Sequence, residues 1–262
     1  MTRKRAADEH RARSPRAAHV VGRRPALEAI RSGSAQELLV SVAARDTAEL
    51  RRLLEAAAGR HVEVVRVADD VIDRIAAGAR HQRVAVRVTM PASLDERSLE
   101  TMRWDADAVV LVLDGVTDPQ NVGAAARTAE GAGVSALIVR RHRAGPSSPA
   151  ALRSSAGALF HLPVARVTNI TRTLKMLKDA GFWVAGLDAA GPRTIHEAER
   201  PPGPLALVVG SEGAGLSRLV RESCDELIAI PLTGKAESLN VAVAAGVGLF
   251  TYADRWRSPR GN

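Results

Sequence analysis

With 262 residues, 46% of them hydrophobic and 25% charged, the chain has the length and composition of a globular protein of one large or two ordinary domains, and two is our reading. No apolar run reaches the roughly 18 residues that span a bilayer, and the Arg-rich start lacks the apolar core of a secretion signal, so a cytoplasmic protein with no membrane partner is expected. The net charge of +8 sits at the two ends: residues 1–24 hold eight Lys and Arg against Asp8 and Glu9, residues 254–262 hold Arg255, Arg257 and Arg260 against Asp254, and the body between them balances. Such tails suit either sequence-independent phosphate contact or simple solubilisation. A single cysteine, Cys224, excludes an internal disulfide or a cysteine-based metal cluster and reads as a small hydrophobe.

In chain order, GRRPALEAIRSG predicts a short helix, ELLVSVA a strand, and TAELRRLLEAAAG an amphipathic helix ending at Gly59. VEVVRVA is the next strand, DDVIDRIA a short helix with Asp69 as its cap, and RVAVRVT a strand of period two. The expected organisation is a basic, disordered tail at 1–18, a small α/β unit at 19–89, a polar linker at 90–106, a second α/β domain at 107–257 and a short tail at 258–262. The second domain opens with the nearly continuous apolar strand DAVVLVLD, and a helix starts near Val122. SALIVR, a Pro/Ser-rich loop RRHRAGPSSPA, the helix NITRTLKMLKDAG and the strand FWVAGL follow. Then come a loop, the strand LALVVG, a helix near LSRLVRESC, the strand ELIAI and a final helix SLNVAVAAGVGLFTYADRW. This alternation argues for a mostly parallel sheet with helices on both faces.

In such sheets ligands bind beyond the carboxyl ends of the strands. Three loops there are rich in glycine and small polar residues: DGVTDPQNVG (114–123), GSEGAGLS (210–217) and PLTGKAESLN (231–240). Glycines let backbone approach a ligand, and helix starts offer free N–H groups. No GxGxxG, GxxxxGK[ST], HExxH, CxxC or GxSxG occurs, and the seven histidines stand at no metal-ligand spacing, so dinucleotide, ATP, metal and serine-hydrolase readings lose support. An unusual feature is the helix after the first loop, whose opening turns are almost all Gly and Ala around one arginine, Arg127.

NVGAAARTAEGAGV, LALVVGSEGAGLS and IPLTGKAESLNVAVAAGVGLF, in this order, resemble the three motifs of the SpoU (TrmH-like) branch of the SPOUT family of RNA 2′-O-ribose methyltransferases. The likeness extends through HLPVARVTNITRTLKMLKDAGFWVAGL and, more faintly, GARHQRVAVRV, and is nearest to the 23S rRNA guanosine 2′-O-methyltransferases. It implies a catalytic domain tied in a deep trefoil knot, preceded by a small ribosomal-protein-like RNA-binding domain, with S-adenosylmethionine as cofactor, no metal, RNA as substrate and a homodimer formed through the knotted domain. In a knotted domain backbone segments pass close together, which would account for Gly123, Ala124, Ala125 and Ala126.

The resemblance also assigns roles. Ordinary guanidinium stays charged and resists acting as a base, which leaves two versions of Arg127: a perturbed base assisted by the RNA phosphate, or a charge that orients the phosphate and stabilises the developing alkoxide. Asn121, otherwise a helix cap, would position that arginine or the ribose; Glu212, otherwise a carboxylate at a helix start, would orient the arginine or line the substrate pocket; Ser238 and Asn240 would flank the reacting ribose, Ser238 being otherwise a cap of the last helix. Gly210, Ile230, Leu239, Gly234 and Leu187 would hold the cofactor, Gly210 by letting it approach the backbone. Two places depart from the family: the segment AGPSSPAALRSSAGA, which fits loosely, and Arg83, which stands where a small residue is common. A tRNA or antibiotic-resistance methyltransferase would carry the same motifs, and an RNA-binding or assembly factor without turnover is the alternative from another class.

Overall fold

The computed structural model describes residues 17–90, 93–141, 146, 148–199 and 202–253; the expectations for residues 1–16, for the tail at 258–262 and for residues 142–145 and 147 of the loop at 140–150 lie outside these residues. The chain divides into two compact units, Met1–Ala92 and Ser93–Asn262.

In the first unit the elements run β1 (Ala17–Val21), α1 (Arg23–Arg31), β2 (Ala35–Ser41), α2 (Ala48–Gly59), β3 (Glu63–Val67), α3 (Asp69–Ala76) and β4 (Val84–Thr89). Among the described residues the sheet has the order β1-β4-β2-β3, with β4 antiparallel to both β1 and β2 and β2 parallel to β3. β1 begins within the stretch expected to be tail: an Ala-rich edge strand has no pattern of its own and forms by pairing with β4. α2 starts as its sequence predicts, with the Thr47 hydroxyl accepting from the Leu50 N–H. Asp69 is not the cap of α3. It is the first helical residue, and its carboxylate accepts from the buried Ser41 hydroxyl while facing Arg83 at 3.4 Å.

Arg83 stands at φ +61° and follows Gln82 at φ +50°, so two non-glycine residues occupy the left-handed region in succession. That backbone favours glycine over residues that carry a side chain. The Arg83 guanidinium turns back to donate to the Ala43 carbonyl and pair with Asp69.

The second unit starts with α4 (Glu96–Thr101), which lies inside the segment expected to be a linker. Asp95 caps it, accepting from the Ser98 N–H, and Leu99 is buried in the second unit's core. Then follow β5 (Val109–Leu113), α5 (Pro119–Gly131), β6 (Ala136–Arg140), α6 (Pro149–Ser154), a 3-10 turn at Ala158–Phe160, β7 (Val164–Val167), α7 (Ile170–Asp179), β8 (Trp183–Leu187), β9 (Arg193–Thr194), β10 (Leu205–Val209), α8 (Arg218–Ser223), β11 (Glu226–Ala229), α9 (Val241–Val247) and a π-helical turn at Gly248–Tyr252. All described pairings in the sheet β7-β6-β5-β10-β8-β11-β9 are parallel.

Val110 and Val112 of β5 join Leu174 and Leu177 of α7 and Val220 of α8 in one core cluster. The alternate residues Val109, Leu111 and Leu113 project to the other face, and on that face the π turn packs Gly248 against Leu207 and Leu187. Strands buried on both faces explain the unbroken apolar runs LALVV and VVLVL, each such side chain contributing roughly 1.5–3 kcal/mol.

Candidate functional site

The three glycine-bearing loops follow β5, β10 and β11, at one edge of the parallel sheet. β10 lies directly between β5 and β8, and β8 between β10 and β11, so the register sets Leu113 beside Val209, Val209 beside Leu187, and Leu187 beside Ile228. Just beyond these ends lies a cavity of about 260 Å³. The chain after β11 gives it an apolar lining of Ile230, Leu232, Leu239, Val241 and Ala244 beside Glu237 and Ser238, and the loop after β10 gives it Ser211, Glu212 and Gly213.

The middle loop is braced by its own backbone. Ser211 and Gly215 form an antiparallel bridge, N–H to carbonyl in both directions at 3.2 and 2.9 Å, and Gly213 and Gly215 take φ of +81° and +64°. A Cβ on Gly210 would strike the Gly215 carbonyl, so the group that demands a glycine at 210 is this loop's own backbone. Buried Asp114, at the end of β5, accepts from the Ser217 N–H at 2.7 Å and ties the start of α8 to the first loop.

α5 begins three residues before the expected start. Asp118 caps it, accepting from the Gln120 N–H at 3.0 Å, with Pro119 at its first position. Asn121 therefore stands inside the first turn and is not the cap; its Oδ1 accepts from Asn240 Nδ2 at 2.9 Å. Asn240, not Ser238, caps α9, its Oδ1 accepting from the Ala242 N–H at 3.0 Å. One pair of amides thus joins the first and third loops.

Small residues early in α5 meet backbone: a Cβ on Gly123 would collide with the Ala151 carbonyl and the Ser154 hydroxyl of α6. Arg127, two turns along, is exposed and makes no hydrogen bond or ion pair among the described residues.

Of the residues expected to form the site, Gly210, Glu212, Ile230, Ser238, Leu239 and Leu187 line the cavity. Asn121, Arg127, Asn240 and Gly234 do not; the first and third are linked to each other, and a Cβ on Gly234 would meet nothing within 4 Å. Two charged lining residues stand outside the three loops and were not anticipated, Asp188 and Arg221. A signal for Asp188 exists in the sequence, since Leu-Asp closes an apolar strand both at VLVLDG and at VAGLDA. Cys224 lies outside this cavity, its thiol pushed up to about 12 by burial, which keeps it neutral and unreactive.

The model of the SpoU rRNA Methylase family matches residues 108–250, and that of the RNA 2′-O ribose methyltransferase substrate-binding domain matches residues 19–94. The chain belongs to the SpoU family of RNA methyltransferases. A relative named an uncharacterized tRNA/rRNA methyltransferase, from Mycolicibacterium vanbaalenii, is 41% identical over 91% of this chain and 77% of its own length. Among solved structures, the SpoU methyltransferase AviRb of Streptomyces viridochromogenes, in complex with AdoMet, is 29% identical with a TM-score of 0.75, covering 91% of each chain. An AdoMet-bound rRNA methyltransferase of Sinorhizobium meliloti has a TM-score of 0.74 at 27% identity over 96% of this chain and 90% of that one. These SpoU structures share the mixed α/β fold with a parallel sheet, as the motif order implied.

Among the described residues no group of His, Cys, Asp and Glu is arranged to hold a metal ion, and no helix is long and apolar enough to cross a membrane.

Proposed function

We propose that the protein transfers a methyl group from S-adenosylmethionine to a ribose 2′-hydroxyl of RNA in the cytoplasm, with a guanosine of 23S rRNA as the target. The observation that carries this reading is the cavity that the second and third motif loops line at the carboxyl edge of a parallel sheet, with the first loop joined to the third through Asn121 and Asn240. Its apolar side suits a purine, its polar side a charged amino-acid chain, and its volume a nucleoside-sized ligand. The substrate-binding match over residues 19–94 supports a ribose 2′-hydroxyl as acceptor, and the cofactor reported for the AviRb and S. meliloti structures supports the donor.

S-adenosylmethionine, when bound, supplies a methyl group already activated on a sulfonium, so alignment carries much of the rate. Leu187, Gly210, Ile230 and Leu239 form the cofactor wall. The Asn121–Asn240 pair fixes the start of α5 relative to α9 and so sets the line along which Arg127 projects. Arg127, open to water and free of an acidic partner among the described residues, is suited to holding an RNA phosphate and stabilising the oxygen as its proton leaves. Ser238 offers an acceptor in the cavity wall for a hydroxyl of the incoming ribose.

A homodimer belongs to this reading, supported by Val243 and Phe250, which are 52% and 58% exposed along the last helix and its π turn. So does the trefoil knot, supported by the insertion of β10 and β8 between β5 and β11 and by the backbone approach at Gly123.

The test is incubation with labelled S-adenosylmethionine and unmodified 23S rRNA, 16S rRNA or tRNA, with the product mapped by resistance to alkaline cleavage. Label at one position of 23S rRNA is expected; label in tRNA alone would move the target, and none in any RNA would overturn the reading. Arg127→Ala should lower the methylation rate about a hundredfold or more with an unchanged melting temperature.

A further inference from the structure

One part of the cavity wall is accounted for by none of the three loops. Asp188 directly follows β8, its side chain is only 6% exposed, and it plays no part in the transfer described above. Its Oδ1 accepts from the Ala190 N–H at 2.9 Å. Oδ2 lies 2.8 Å from Arg221 Nε but in a direction that makes no hydrogen bond, and it has no other partner among the described residues. A buried carboxylate oxygen left with open lone pairs on a cavity wall calls for a donor.

Register fixes where that donor must lie. Leu187 pairs with Val209 on one side and Ile228 on the other, and the Asp188 N–H donates to the Ile228 carbonyl at 3.0 Å. At the edge of the sheet Asp188 therefore stands between Gly210, which follows Val209, and Ile230, which follows β11. A nucleoside with its base on the apolar side, at Ile230, Leu232 and Leu239, and its charged chain toward Ser211 and Glu212 must carry its ribose across the middle position. The guanidinium of Arg221 already balances the charge of Asp188, so the carboxylate suits neutral donors; an ammonium there would face Arg221.

We propose, resting on the cofactor reading above, that Asp188 is a specificity-determining residue that accepts hydrogen bonds from the ribose hydroxyls of the cofactor, with Arg221 holding the carboxylate in position. Titration calorimetry on the full chain tests it with S-adenosylmethionine, with 5′-methylthioadenosine, which keeps the ribose and lacks the amino-acid chain, and with 2′,3′-dideoxy-5′-methylthioadenosine. Asp188→Asn is expected to weaken the first two by the same factor, about tenfold or more, and to leave the dideoxy compound nearly unaffected. Asp188→Ala should repeat the pattern, with melting curves showing both variants folded.

Equal affinities in wild type and variant would overturn the inference while leaving the cofactor reading intact. Weaker binding of S-adenosylmethionine alone would also overturn it, by placing the acid at the amino-acid end. A wild-type protein that binds none of the three would remove the cofactor reading, and the inference with it.

Discussion

Loop 210–217 and loop 231–240 form two walls of one cavity, yet they are held in different ways. The first is closed by the Ser211–Gly215 bridge, packed on itself at Gly210 and tied to β5 through Asp114. The second has no such bridge among the described residues; residues 231–238 are all exposed, and its anchor is Asn240 at the far end. A wall bonded through its backbone keeps its shape without a ligand, whereas an exposed one gains order from what it binds.

Substitutions should separate the two walls, the largest effect coming first. Gly210→Ala forces a methyl group into the Gly215 carbonyl and is expected to destabilise the fold by about 1–3 kcal/mol and to abolish S-adenosylmethionine binding, read by thermal denaturation and calorimetry. An unchanged melting temperature would show that the first wall yields. Asn240→Ala removes both the α9 cap and the bond to Asn121, a loss of about 1 kcal/mol in urea denaturation. Combined with Asn121→Ala the loss should be less than additive, because the two side chains share one bond.

Gly234→Ala, at a position whose Cβ would meet nothing, should change stability by less than about 0.5 kcal/mol. A marked loss of stability there would mean that the second wall is as tightly held as the first. Smallest in energy is the proteolytic contrast: trypsin should cut after exposed Lys235 early in digestion, and S-adenosylmethionine should slow that cut without altering cleavage elsewhere. Mass spectrometry of early fragments reads the result.

Most of the second sheet was legible because β5, β10 and β8 are buried on both faces and so read as apolar runs. β1, β7 and β9 were not, being short strands whose pairing depends on a neighbour distant in sequence. α6 starts within the stretch expected to be a Pro/Ser-rich loop, and α5 starts three residues before its expected start. Both begin with the same signature, a capping side chain followed by proline, at Ser148-Pro149 and Asp118-Pro119. That pair of residues marks both starts in the sequence. The opposite error occurred at Asp69, where a capping residue type stood at a helix start but Ser41 and Arg83, far away in sequence, had claimed its carboxylate.

By itself the sequence determined the alternation of strands and helices, the three motif loops and the family they carry, because each is a local pattern of residue types. Only the tertiary structure decided what each small or polar residue answers to. Gly210 yields to Gly215, Gly123 to the backbone of α6, Asn121 to Asn240 and Asp188 to Arg221. Steric exclusion and hydrogen bonding act over a few ångströms between atoms that are as many as 119 positions apart in the chain, a separation that no local pattern encodes.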